Sequence, residues 1–283
     1  MRNFLQIIAR DDERDGDPAR VCSEALNSIM KSPGILKIRR NFGAWGKSAL
    51  NGLLPRHCLM CGGGSGLENL CPPCSSELPR VSHACLQCSL PLSHPADRYC
   101  GHCLRQPPPW QFATAALVYG YPVDQLVRRF KFARSLACGQ VLARELILAL
   151  QQQKAMPPGI ILPVPLHRFR HISRAFNQAD LLARRVGSAL QLPVDGSILQ
   201  RRRRTRAHSG LDAGSRKLNI RGAFDCTIPA GRRDDFRHVA LVDDVMTTGA
   251  TLAECTMTLK KAGVSCVSVW VAARTLEPHQ LAE

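Results

Sequence analysis

The sequence predicts an α/β domain, a parallel sheet flanked by helices, preceded by a small cysteine-rich module. Two observations support this prediction. Between residues 54 and 105, cysteine, glycine, proline and histidine replace the large apolar residues of an ordinary core. After residue 112, apolar runs typical of buried strands alternate with amphipathic segments typical of helices. Strands separated by helices favour a parallel sheet, with binding loops at the carboxyl ends of the strands.

Four apolar runs predict the strands of this sheet, at residues 112–119, 160–166, 239–242 and 264–271. Leucine-rich faces predict helices over residues 138–151 and 175–190. A third helix is predicted after Gly249, and it is expected to stop at Gly263, a residue suited to a helix C-terminus.

The composition divides the 283-residue chain into five segments. No run of eighteen uncharged apolar residues is present, and the apolar patch near the N-terminus is too short for a secretory signal, so we expect a cytoplasmic protein without a membrane span. The expected segments are a poorly ordered N-terminal extension (1–53), the cysteine-rich module (54–105), a proline-rich linker (106–111), the α/β domain (112–275) and a C-terminal tail (276–283).

Eight of the thirteen cysteines form four CxxC pairs within 46 residues. Each such turn can present two thiolates to one tetrahedral ion, and in a chain without an export signal metal ligation is favoured over disulfides. The sequence therefore predicts two structural zinc ions, which would supply folding energy to a segment with little core. The predicted metal ligands are Cys58, Cys61, Cys71, Cys74, Cys85, Cys88, Cys100 and Cys103.

The spacing of the pairs leaves more than one arrangement open. A shift of 27 residues superimposes the first pair on the third, and a shift of 29 superimposes the second on the fourth, which favours two successive four-cysteine sites. A cross-braced arrangement would instead join the first pair to the third. Thioredoxin-like redox chemistry is a further alternative, although it normally uses one CxxC pair after a strand.

The formal charge of +16 indicates an anionic partner, and much of the charge lies in one stretch. Residues 163–225 contain thirteen Lys or Arg and four Asp or Glu, a net charge of +9. The tract Arg201–Arg204 with Arg206 has three interpretations: a flexible loop that closes over an anionic ligand, a contact with single-stranded DNA, or a solvated surface. Charge alone does not distinguish a phosphate-rich small molecule from a nucleic acid.

The most informative segment is a buried strand that ends in two carboxylates and continues into a threonine-rich turn before a helix. Free N–H groups at the helix N-terminus, the helix dipole and the threonine hydroxyls would together bind a phosphate. Adjacent carboxylates would repel that phosphate, so we expect them to accept hydrogen bonds from sugar hydroxyls, which implies a ribose 5-phosphate unit. The predicted binding residues are Asp243, Asp244, Val245, Met246, Thr247, Thr248, Gly249, Ala250 and Thr251.

This segment resembles the phosphoribosyl pyrophosphate signature of type I phosphoribosyltransferases. Residues 54–275 are similar to the ComF family, through the double cysteine ribbon, the Phe130-Lys131-Phe132 motif and the run from Pro163 to Ala179. The resemblance implies a type I phosphoribosyltransferase-like sheet with a hood and a pyrophosphate loop. Guanidinium groups match phosphate oxygens, so the residues expected on phosphate groups are Arg168, Arg170, Arg174 and, less specifically, Lys131.

The resemblance also implies a function. The protein would bind phosphoribosyl pyrophosphate with Mg²⁺ and transfer phosphoribose to a nitrogen nucleophile, with Asp243 and Asp244 at the catalytic centre. It would be linked to DNA uptake and competence, or to nucleotide salvage. The alternative is a non-catalytic competence factor that handles single-stranded DNA and uses the phosphoribosyl pyrophosphate site as a sensor. Its partners would be single-stranded DNA or the DNA-uptake machinery.

Overall fold

The computed structural model describes residues 56–66, 68–153, 156–166, 176–202 and 220–276. The predicted N-terminal extension and nearly all of the predicted C-terminal tail lie outside these ranges. Within the described ranges, no helix combines the length and the apolar character that crossing a bilayer requires.

The cysteine-rich segment contains only short elements. They are β1 (Arg56–His57), antiparallel to β2 (Gly64–Gly66), and the helices α1 (Pro72–Ser76) and α2 (Gly101–Arg105). Most of the buried apolar residues here are the cysteines themselves, joined by Leu70, Leu78 and Leu90. A conventional apolar core therefore contributes little to this segment, as its composition predicts.

The α/β part is built on a four-stranded parallel sheet, which confirms the predicted architecture. Its strands, in sheet order, are β3 (Phe112–Tyr119), β8 (Cys266–Thr275), β7 (His238–Met246) and β4 (Ile160–Pro163). The two central strands, β7 and β8, are buried on both faces, which explains why they appear in the sequence as nearly continuous apolar runs. β7 continues four residues past the predicted run, through both carboxylates.

Helices cover both faces of the sheet. On one face lie α3 (Val123–Phe132), α4 (Leu136–Gln151) and α5 (Gln178–Leu190), which pack in one cluster with Ala240 and Val242 of β7. On the other face lies α6 (Ala250–Lys261), in a second cluster with Val239 and Leu241. The alternation along β7 follows the two-residue period of a strand. The helices α4, α5 and α6 match the three predicted helices, whereas α3 was not predicted.

A small two-stranded antiparallel unit, here called the hood, lies over the second face. It consists of β5 (Leu199–Arg201) and β6 (Phe224–Cys226), and a 3₁₀ helix (Ala230–Phe236) leads from it to β7. Leu199 and Phe224 are buried in the same cluster as α6. The hood is therefore anchored to the sheet through an apolar contact.

The cysteine-rich segment docks on the outer edge of β3. The N–H of Val81 donates to the carbonyl of Ala116 at 2.9 Å, and the N–H of Val118 donates to the carbonyl of Pro79 at 2.8 Å. Near the start of the strand, the N–H of Ala113 donates to the carbonyl of Leu86 at 2.8 Å. These bonds satisfy the exposed edge of the sheet, which would otherwise be open to pairing with another chain.

An ion pair reinforces this junction. Arg80, between the two halves of the cysteine-rich segment, donates from Nε to the carboxylate of Glu145 on α4 at 2.7 Å. The Glu145 side chain is 2% exposed, so its charge depends on Arg80 for compensation.

We predict that Arg80→Ala lowers the free energy of unfolding by about 2 kcal/mol, because it leaves a buried carboxylate without its charged donor. Urea unfolding followed by circular dichroism measures this difference. Arg144→Ala is the matched control, since Arg144 and Glu68 are both well exposed and 3.5 Å apart. Its effect should stay below about 0.5 kcal/mol. Equal effects of the two variants would contradict the structural role given to Arg80.

Candidate functional site

The eight predicted metal ligands form two separate clusters. The first cysteine cluster contains Cys58, Cys61, Cys71 and Cys74, and the second contains Cys85, Cys88, Cys100 and Cys103. Within each cluster all four sulfur atoms lie within 4.8 Å of one another. The pairs are therefore grouped successively, and the cross-braced alternative is not the arrangement found.

The internal repeat has a structural counterpart in the turns that carry the first and third CxxC pairs. The carbonyl of Cys58 accepts from the N–H of Gly62 at 3.0 Å, and the carbonyl of Cys85 accepts from the N–H of Ser89 at 2.8 Å. Gly62 and Ser89 are 27 residues apart and both have a positive φ, 75° and 53°. The same turn is thus built twice, once with glycine and once with serine in the left-handed region.

The second and fourth pairs stand at the beginnings of the two short helices. Cys71 is the N-cap residue of α1 and Cys100 is the N-cap residue of α2, and both have extended backbone. The following cysteines, Cys74 and Cys103, lie inside their helices and are buried. A turn and a helix start therefore supply two thiols each to every cluster.

The donor set and its spacing fit zinc. Four sulfur ligands at about 2.3 Å from a tetrahedral ion would lie about 3.8 Å from one another. The sulfurs of Cys61 and Cys71 are 3.7 Å apart, and those of Cys88 and Cys100 are 3.6 Å apart. Four thiolates close the coordination sphere, so each ion would be structural rather than catalytic.

The predicted carboxylate pair lies at the carboxyl end of β7. Asp244 is 7% exposed and forms an ion pair with Lys131 of α3, with 2.9 Å between Oδ1 and Nζ. Asp243 accepts a hydrogen bond from the backbone N–H of Asp244 at 2.8 Å. Lys131 is therefore brought to the predicted site, where its charge meets a carboxylate directly.

Burial and the neighbouring Asp244 carboxylate raise the pKa of Asp243 to about 7, although Lys131 and Arg201 act in the opposite direction. Near neutral pH this carboxyl group is thus divided between its neutral and ionised forms. Protonation relieves part of the repulsion between two adjacent acids, which allows the pair to remain at the end of a buried strand.

The turn after β7, residues 247–249, is here called the phosphate loop. Thr247 and Thr248 are exposed, and Gly249 has φ of 72° as the N-cap residue of α6. Within the described part of the chain, the backbone N–H groups of Thr247, Thr248 and Gly249 have no acceptor. The two exposed threonines therefore carry backbone donors at a helix N-terminus, a position that favours an anionic group.

The remaining predicted residues differ in how far the structure describes them. Val245 is half-buried and Met246 is 2% exposed, so both hold the end of β7 in place. Ala250 and Thr251 form the first turn of α6. The three arginines predicted to contact pyrophosphate lie outside the described residues; they are Arg168, Arg170 and Arg174.

The basic tract does not behave as a single unit. Arg201 is 8% exposed, lies in the hood, and stacks over Phe224 with 5.4 Å from guanidinium carbon to ring centroid. Arg202 is exposed and pairs with Asp225 at 2.6 Å. Interpretation of the tract as a solvated or flexible loop is therefore wrong for Arg201, whereas Arg203, Arg204 and Arg206 lie outside the described ranges. Burial of alternate residues in a short strand is the signal that sequence analysis missed.

Two more residues near the phosphate loop were not predicted. Arg274, at the end of β8, donates to the carbonyls of Met246 and Thr247, and the ring of Trp110 packs against Gly249. Both lie far from the motif in the sequence, so no local pattern points to them.

Comparison with known proteins agrees with the clusters. A family model described as a double zinc ribbon domain matches residues 49–104. This range contains all eight ligands and begins five residues before the predicted module. The cysteine-rich segment is therefore a double zinc ribbon.

Curated relatives match most of the chain. "Competence protein F" of Haemophilus influenzae is 36% identical over 77% of this chain and 96% of its own length. "DNA utilization protein YhgH" of Escherichia coli K12 is 35% identical over 75% of this chain and 92% of its own. The Salmonella typhimurium protein of the same name is 34% identical over 79% of this chain and 99% of its own.

Two solved structures give weak matches. Orotate phosphoribosyltransferase from Aeropyrum pernix has a TM-score of 0.29 at 16% identity, over 50% of this chain and 75% of that one. Adenine phosphoribosyltransferase from Leishmania donovani has a TM-score of 0.28 at 15% identity, over 53% of this chain and 58% of that one. Scores this low add nothing to the assignment of function.

We predict that the protein, purified without added metal, contains two zinc ions per chain. Inductively coupled plasma mass spectrometry measures this content. Cys61→Ser and Cys88→Ser should each leave one ion, because a serine hydroxyl is a poor substitute for a thiolate. The double variant should bind none, since its two changes fall in different clusters. Cys226→Ser, outside both clusters, is the control and should retain two. A double variant that keeps one ion would indicate cross-bracing instead.

Proposed function

Because the chain belongs to the ComF (competence protein F) family, we propose that it binds phosphoribosyl pyrophosphate with Mg²⁺ and transfers the phosphoribosyl group to a nitrogen nucleophile. One observation carries this proposal. At the end of β7 the structure brings together a carboxylate pair, a lysine and a loop with three N–H donors that have no acceptor among the described residues.

The carboxylates and the loop suit the two ends of a ribose 5-phosphate. Sugar hydroxyls donate well to carboxylates, and the pair at Asp243 and Asp244 offers acceptors for the 2- and 3-hydroxyl groups. The N–H groups of the phosphate loop, with the hydroxyls of Thr247, Thr248 and Thr251, would bind the 5-phosphate. The positive end of the α6 dipole favours the same group.

The pyrophosphate would be bound on the β4 side of the site. We assign Arg168, Arg170 and Arg174 to this role, because they follow β4 in the chain and bidentate guanidinium groups match phosphate oxygens. Lys131 would add a charge near the ribose. Mg²⁺ usually retains several waters and binds through substrate phosphates and one or two carboxylates, which Asp243 or Asp244 would supply. When bound, it would neutralise charge on the leaving pyrophosphate.

The transfer breaks the bond from C1 of the ribose to the pyrophosphate oxygen and forms a bond from C1 to nitrogen. The electron pair of the broken bond leaves on pyrophosphate, and the nitrogen loses a proton. The protein's part is to hold the ribose by its hydroxyls and 5-phosphate, so that C1 faces the nucleophile. With a pKa of about 7, Asp243 is suited to change its protonation state as the ligand binds.

We predict that calorimetry with Mg²⁺ and phosphoribosyl pyrophosphate gives saturable 1:1 binding. Asp243→Asn/Asp244→Asn should weaken it at least tenfold, because amides replace charged acceptors for the two hydroxyls. The control is Asp234→Asn, at an exposed residue that precedes β7, and this variant should bind the ligand as the wild type does. Equal affinities of the double variant and the wild type would refute the proposed site. Release of pyrophosphate with a panel of bases and amines then separates an enzyme from a sensor.

A second function is supported by the relatives' names, which refer to competence and DNA utilization. We infer that the protein acts in the cytoplasm in handling incoming DNA, and that part of the basic tract contacts the phosphates of single-stranded DNA. The Arg202 side chain is 73% exposed on the hood, and a DNA phosphate would compete there with its partner Asp225. A ribose phosphate site and a DNA surface can serve one pathway.

Binding of a fluorescent single-stranded oligonucleotide across a salt series tests this second function. We predict an affinity that falls steeply with salt, and a smaller slope in Arg202→Gln/Arg203→Gln/Arg204→Gln, which removes up to three phosphate contacts. Arg201 is kept, since it is buried in the hood. Arg233→Gln/Arg237→Gln, away from the tract, is the control. A flat salt dependence in the wild type would exclude the DNA contact.

A further inference from the structure

A buried arginine joins the phosphate loop to the second cysteine cluster. Arg274 is 6% exposed and is the penultimate residue of β8, opposite Met246 in the sheet register. Its Nε donates to the carbonyl of Cys88 at 3.0 Å. Its Nη1 donates to the carbonyl of Thr247 at 2.7 Å and to that of Met246 at 3.3 Å. One guanidinium thus contacts a metal-binding turn and the start of the phosphate loop.

These contacts determine which way the loop's N–H groups point. In a trans peptide the C=O and the next N–H point in opposite directions. When Arg274 holds the carbonyls of Met246 and Thr247, the N–H groups of Thr247 and Thr248 are turned away from it. These are the N–H groups that have no acceptor among the described residues. Arg274 therefore presents two donors to an anion without contacting that anion.

A tryptophan provides a second link between the same two sites. Trp110 is 5% exposed, and its Nε1 donates to the carbonyl of Gln87, inside the turn between Cys85 and Cys88. On the loop side its ring lies so close to Gly249 that an added Cβ would be 2.9 Å from Cη2. The same turn of the ribbon is thus bonded to both residues that support the loop.

The first cysteine cluster is linked to a different part of the protein. Arg129 of α3 donates to the carbonyl of Leu59, between Cys58 and Cys61, at 2.6 Å. Asn69 donates to the side chain of Gln140 on α4 at 2.8 Å. These bonds attach the first cluster to the helical face of the sheet. The two clusters are alike in geometry, but the contacts to the loop come from the second.

We propose that Arg274 and Trp110 are positioning residues for the phosphate loop. The turn between Cys85 and Cys88, in the second cysteine cluster, holds both side chains in place. The ribbon is then part of the ligand site, because its backbone carbonyls fix the guanidinium and the indole that orient the loop. This proposal rests on the proposed function for the identity of the ligand. Its structural part, the ordering of the loop, can be tested without any ligand.

The test compares Arg274→Gln with the wild type as full-length, zinc-loaded protein. In ligand-free hydrogen exchange, we expect faster exchange of amides 246–252 in the variant, with unchanged protection of β7 before the loop and two zinc ions retained. Affinity for ribose 5-phosphate should fall about tenfold, and affinity for inorganic pyrophosphate should stay the same. Arg274→Lys should recover part of the loss, since one ammonium keeps the charge but cannot reach every carbonyl that the guanidinium contacts.

Arg129→Gln is the matched control, because it removes the corresponding arginine link to the first cluster. It should leave loop exchange and ribose 5-phosphate affinity at wild-type values.

If Arg274→Gln does not fold, Trp110→Phe replaces it, since phenylalanine preserves ring packing and loses the bond to Gln87. Loop exchange equal to the wild type, in whichever of these two variants folds, would overturn the proposal. So would equal losses in Arg274→Gln and Arg129→Gln. A wild type that binds no phosphoribosyl pyrophosphate would overturn the proposed function but leave the exchange result to decide the positioning role.

Discussion

The repulsion between two adjacent carboxylates at the end of a buried strand is the constraint that the rest of the site resolves. β7 is central in the sheet, so Asp243 and Asp244 can reach solvent only at its carboxyl end. Lys131 compensates Asp244 directly, and burial beside a second acid keeps Asp243 partly protonated near neutral pH. Together with Lys131, the pair therefore carries little net charge before a ligand arrives. An anionic sugar phosphate can then approach a site that contains two acidic residues.

The lack of an apolar core in the double zinc ribbon explains how it is joined to the sheet. The ribbon has few large apolar side chains, so metal coordination and docking must replace a core of its own. It docks by covering the free edge of β3 with backbone hydrogen bonds, and by bringing Arg80 to the buried Glu145. The edge strand is thereby protected, and the ribbon gains a fixed orientation. The ribbon therefore differs from the α/β part in composition but is bonded to its sheet and to one of its helices.

Much of this could be predicted from local sequence patterns. The apolar runs predicted all four strands, and the two CxxC offsets favoured the successive metal clusters that are found. The helix α3 was missed although it carries Lys131, and the burial of Arg201 in the hood was missed because a three-residue strand has too short a period to recognise. Arg274 and Trp110 could not be predicted, because their roles depend on contacts between residues far apart in the chain.

The positions of Arg274 and Trp110 also explain how the loop can leave N–H groups without partners. An unpaired donor costs free energy where it is shielded from water, but Thr247 and Thr248 are exposed, so solvent can satisfy their N–H groups before an anion replaces it. The carbonyls of Met246 and Thr247 instead face Arg274, whose side chain is buried. Arg274 donates to both carbonyls at once, and Gly249 lets the chain turn closely under the indole ring. The loop can bind an anion because the carbonyls of Met246 and Thr247 are paired on one side while, within the described part of the chain, the N–H groups of Thr247 and Thr248 remain open on the other. The ribbon maintains this difference through its bonds to Arg274 and Trp110.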